Sequence, residues 1–81
     1  MLILEGTKKV NDLVYTTFSF PGNEEKGSAV YDASKGEFIE ALYGEKNPLV
    51  DFVYGFGYVR NLIEMMIDAD RYPDRITYEW Y

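Results

Sequence analysis

Residues 47–73 read NPLVDFVYGFGYVRNLIEMMIDADRYP, and the fold turns on whether this run is one helix or a helix broken at Gly55-Phe56-Gly57. Leu49, Phe52, Phe56, Val59, Ile63 and Met66 recur at alternating spacings of three and four, the period of a single helix face. Asn47 is a favoured N-cap, and Pro48 at the first helical position gives up only an amide hydrogen that had no partner. The pattern predicts a helix from Asn47-Pro48 to about residue 70, with Tyr72-Pro73 forcing the exit. Two interior glycines cost about 1 kcal/mol each relative to alanine, and Val, Tyr and Phe add smaller penalties. Packing must supply the difference, and residue 55 is where the helix would break. Gly55 is expected to let the helix approach a sheet closely, and Gly57 to be a tolerated surface glycine or a slight bend. A phosphate loop is not expected, because the pair lacks the third glycine of a dinucleotide motif and the Walker lysine.

Outward from this run, residues 2–9 and 13–20 are β-rich and separated by Val10-Asn11-Asp12, which reads as a first hairpin. In its second arm Val14, Thr16, Phe18 and Phe20 share the expected core face. Residues 28–44, SAVYDASKGEFIEALYG, read as a second hairpin turning at Ser34-Lys35-Gly36. Its last strand alternates imperfectly. Phe38, Glu40 and Leu42 fall on one side and Ile39, Ala41 and Tyr43 on the other, so the pattern does not select an inward face. At the end of the chain Ile76, Tyr78 and Trp80 alternate with Thr77 and Glu79 as in a half-buried strand. The expected order is ββββαβ, an α+β fold with an antiparallel meander of about four strands, one long helix packed across it and a C-terminal strand. A chain of this length is expected to form a single compact domain over residues 1–81.

Composition narrows the chemistry. The 81 residues include no Cys and no His, which removes disulfides, thiolate metal sites and the usual neutral-pH general base. Fourteen acidic residues against eight basic ones give a formal charge of −6, which opposes direct nucleic-acid binding and suits a basic protein partner. The opening MLILEGTKK has too short an apolar run for a signal-peptide core, and no later run approaches a membrane span. A soluble cytoplasmic protein without a membrane partner is the expectation.

Turned away from the core face, the predicted helix carries Asp51, Tyr54, Tyr58, Asn61, Met65 and Asp68, with Glu64 at one edge. Tyr and Met on a stripe edged by carboxylates suit a contact surface, whereas a solvated face is ordinarily all polar. The plainer alternative lays the two tyrosines over neighbouring loops. Asp68, Asp70, Asp74 and Glu79 partly match a calcium loop, but Tyr72 stands at a ligand position and Pro73 where glycine makes the turn. Arg60 and Glu64 read as an exposed i, i+4 pair. No cofactor, metal site or catalytic pair is expected. The reading that results is a non-enzymatic protein-binding domain docking on a basic, nucleic-acid-handling protein, in the manner of small acidic inhibitors from phages and mobile elements. The alternatives are a homo-oligomeric cellular module with a small-ligand pocket and, less favoured, a small enzyme.

Overall fold

The computed structural model describes residues 1–79; Trp80, expected in the final strand, lies outside them. The strands are β1 (Leu2–Val10), β2 (Leu13–Ser19), β3 (Lys26–Asp32), β4 (Glu37–Tyr43) and β5 (Arg75–Tyr78), with one helix, α1 (Phe56–Ala69), before β5. The fold is α+β in the order ββββαβ. All pairings are antiparallel, and the sheet order is β4-β3-β2-β1-β5. Because β4 and β5 are opposite edges, the chain must cross the sheet between them, and α1 lies on that crossing.

Period-2 alternation along β2 and into the residue after it buries Val14, Thr16, Phe18 and Phe20 as expected. With Leu2, Leu4, Ala29, Tyr31, Ala41 and Tyr43 they form one face, onto which α1 lowers Val59, Leu62, Ile63 and Met66. Aromatic rings fill the centre: Phe18 lies 5.6 Å from both Tyr43 and Phe56, and Phe38 lies 4.9 Å from Phe56. Phe56 thereby pins the first turn of the helix to the sheet. The imperfect alternation of β4 has a simple origin. The β3–β4 register shifts between Val30 and Tyr31, so that Val30 pairs Glu40 while Tyr31 pairs Phe38. The bulged Ile39 is left unpaired and half exposed, which brings Phe38 onto the same face as Ala41 and Tyr43. A second shift, between Glu5 and Lys8, keeps Thr7 on the core side, where its hydroxyl lies 2.7 Å from that of Thr16.

The helix is shorter than its periodicity predicts. It begins at Phe56, and Gly55 before it is held at φ 89°, in the left-handed region. Leu49 and Phe52, placed on the core face by their spacing, are instead 44% and 85% exposed. The core closes without them. Without packing, a segment of Val, Phe and Tyr ending in glycine has too little intrinsic helicity to propagate. Gly55 therefore breaks the helix, and does not serve the close helix–sheet approach expected of it. Gly57 has open space where a side chain would stand, a surface glycine as expected. At the other end Asp70, at φ 52°, donates its amide to the Ile67 carbonyl (3.1 Å), and Arg71 donates to that of Met66 (3.1 Å), a Schellman closure with Asp where glycine is usual.

Candidate interaction surface

The start signal at Asn47-Pro48 acts locally. The Asn47 side-chain oxygen accepts the Leu49 amide (2.9 Å), and its carbonyl accepts those of Val50 (3.0 Å) and Asp51 (2.7 Å). Asp51 returns a carboxylate oxygen to the Asn47 amide at 3.0 Å. One helical turn forms and then stops, and its exposed end displays apolar side chains. Val50 is 80% exposed, Phe52 85% and Tyr54 68%. Other large apolar residues are exposed singly, such as Val10 on β1 and Ile39 and Leu42 on β4, which is ordinary for a protein surface. Four within residues 49–54 are not. A contiguous apolar patch on a small protein ordinarily marks a contact site.

The seven residues assigned to the outer stripe do not share one helix. Asp51 and Tyr54 belong to the segment before α1, while Tyr58, Asn61, Glu64, Met65 and Asp68 lie on it. Tyr58 is half-buried against the core, its ring 5.1 Å from that of Tyr78 on β5. Asn61, Glu64, Met65 and Asp68 are exposed, Met65 at 61%. A shallow depression of about 530 Å³ lined by Gly55, Gly57, Tyr58, Arg60 and Asn61 lies beside the start of α1. The comparisons with known protein families, curated proteins and solved structures find no match to this chain.

Arg60 is the cation on this stretch of helix, and its guanidinium is already engaged. Its Nε donates to Glu64 Oε1 at 3.0 Å and its Nη2 to the Gly36 carbonyl at 2.6 Å, while the group lies 5.9 Å above the Tyr31 ring. The Glu64 hydrogen bond, with the nearby Tyr31, raises the pKa of Arg60 above its ordinary value. Arg60 thus ties α1 to the β3–β4 turn and neutralises Glu64, while Asp51 and Asp68 keep exposed negative charges on the surface. Chemically the surface can bury apolar side chains and complement positive charge.

Leu49, Val50 and Phe52 are the surface residues that the helical wheel missed. A signal for them was present. Around a complete helix Leu49 and Phe52 face one way and Val50 the opposite way, so the run Leu49-Val50-Asp51-Phe52-Val53-Tyr54 is apolar nearly all round. A helix lying on one sheet cannot bury such a run.

Proposed function

We propose that this protein is a non-enzymatic binding domain that docks on a basic protein, of the kind that handles nucleic acid, and that it works as an inhibitor or competitor there. The observation that carries this reading is the display of Leu49, Val50, Phe52 and Tyr54 on one six-residue stretch of a chain with a formal charge of −6. Burying a Val or Phe side chain is worth about 1.5–3 kcal/mol, so Val50 and Phe52, 80% and 85% exposed, offer contact energy that the fold itself leaves largely unused. Asp51 and Asp68, with the net negative charge, favour a partner with a Lys- or Arg-rich rim and speed the encounter. Helix α1 lends rigidity to one side of the surface, where Tyr58 and Asn61 adjoin Gly55.

The test is affinity capture from extract of the source cell, using the immobilised chain and a Val50→Ser/Phe52→Ser variant, over a range of salt. Docking predicts a captured protein that the variant loses and that leaves the column steeply as salt rises. Equal capture by both chains, or capture indifferent to salt, contradicts the reading. A chain that captures nothing and runs at twice its mass would replace it with self-association.

A further inference from the structure

We infer that residues 48–55 are an unfinished first stretch of α1 that completes as helix on docking, so that the partner receives a helix in an apolar, basic-rimmed groove. The inference rests on the docking reading above and specifies how the surface is used. The costly part of helix formation, the first hydrogen-bonded turn, is already made at Asn47, with Pro48 in the first helical position and Asp51 bonded back to the Asn47 amide. Only residues 52–55 separate that turn from Phe56, and among them Gly55 is the one at positive φ. Glycine passes from φ 89° to helical φ without the steric penalty of a Cβ. Phe52 and Val53 are also non-helical, but the left-handed turn of the break falls on the residue that releases it most easily.

Completion would put Leu49 and Phe52 in phase with Phe56, Val59, Ile63 and Met66, and Val50 on the opposite side. A helix apolar on both sides needs a groove that closes around it; a flat surface would cover only one. The helix would lengthen by about 12 Å, eight residues at 1.5 Å each. In the free protein Val53 packs against the core while Val50 and Phe52 stay exposed, and the intrinsic preference of these residues is too weak to hold a helix by itself. A groove supplies the missing contacts, and Asp51 together with the net charge of −6 selects a rim of Lys and Arg.

The test uses the full chain in four forms: wild type, Gly55→Ala, Gly57→Ala and a synthetic chain with D-alanine at position 55. Alanine at 55 disfavours the left-handed break and favours helix, and alanine at 57 raises helicity beside the break in open space. D-alanine fits the break and holds it. Carbon chemical shifts of residues 48–55 should move into the helical range in the two alanine variants and stay non-helical with D-alanine. Ellipticity at 222 nm should rise in Gly55→Ala, by at most roughly half, the limit set by eight helical residues added to the fourteen of α1. Capture of the source-cell partner should strengthen about fivefold with alanine at 55 and weaken about as much with D-alanine. Non-helical shifts in both alanine variants overturn the inference. If Phe52→Ser abolishes capture while the position-55 variants leave it unchanged, docking stands and helix completion falls. If Phe52→Ser has no effect on capture, the docking reading falls, and this inference with it.

Discussion

The ring of Phe18 occupies the space where Gly27, its cross-strand partner, would carry a side chain: a Cβ there would lie 2.6 Å from Phe18 Cε1 and 2.7 Å from the Leu42 carbonyl oxygen. The glycine is what allows the central aromatic ring to lie against β3 while stacking on Tyr43 and packing at a tilt against Phe56. Gly27→Ala must push either the ring or the β4 backbone aside. It is expected to destabilise the fold by about 1–3 kcal/mol, the usual cost of overpacking. Urea denaturation measures it, and a matched Gly57→Ala control in open space should show no such loss.

The buried threonine pair predicts an asymmetric double-mutant cycle. Thr16 Oγ1 is 2.7 Å from Thr7 Oγ1 and also donates to the Thr17 carbonyl at 3.1 Å. Thr7→Val leaves Thr16 with its backbone acceptor, whereas Thr16→Val leaves the Thr7 hydroxyl buried without this partner. The second substitution is expected to cost about 1–3 kcal/mol and the first less, with the double variant closer to wild type than the sum of the two. Thermal and urea unfolding of all four chains checks the coupling.

The helix terminus predicts a stabilising change. Asp70 is a non-glycine residue in the left-handed region and a negative charge at the negative end of the helix dipole. Asp70→Gly relieves both and keeps the Schellman hydrogen bonds, which are made by backbone amides. A gain of about 0.5–1 kcal/mol is expected, partly offset by the freedom glycine adds to the unfolded chain. It is read as a rise in Tm with no change in the sheet's amide spectrum.

The β3–β4 turn predicts a specific acid sensitivity. Asp32 Oδ1 accepts the Ser34 hydroxyl at 2.6 Å and the amides of Ser34 (2.9 Å) and Lys35 (3.2 Å). The Ser34 hydroxyl foremost holds its carboxyl below the ordinary value of 3.8, with slight burial opposing and the two amides assisting. A carboxylate with a depressed folded-state pKa stabilises the fold above its ordinary value, and that stability is lost as pH falls below it, through the folded pKa. Asp32→Asn, which cannot titrate, should show a flatter fall of the urea midpoint than wild type below about pH 4.

The hairpins were legible because each is a local pairing in which turn residues and period-2 alternation agree. Where alternation failed on β4, the cause was the Ile39 bulge, which a single sequence reveals only as an irregularity. Strand order left no local mark, since β5 reaches β1 through a long-range pairing. Asn47, read as the N-cap of the helix, caps only an isolated turn, and the helix itself is capped by Gly55. The helix was overextended because Leu49 and Phe52 keep the phase of the core residues without joining the core. Periodicity reports which side chains would align in a helix and is silent on whether a sheet extends that far. The exposed acids and Met65 were legible as a helix face, whereas the exposure of Phe52, on the core face by its spacing, required the break at Gly55 to be seen.

Phe52 is the residue on which the account turns, because it was placed in the core by its spacing and on the surface by the fold. Urea unfolding of Phe52→Ala beside Phe56→Ala tests the difference most directly. Phe56→Ala should lose about 3 kcal/mol or more through the contacts with Phe18 and Phe38, and Phe52→Ala should change stability by less than about 0.5 kcal/mol. A loss at Phe52 comparable to that at Phe56 would mean that the residue is packed within the fold, and the contact surface proposed for residues 49–54 would not stand.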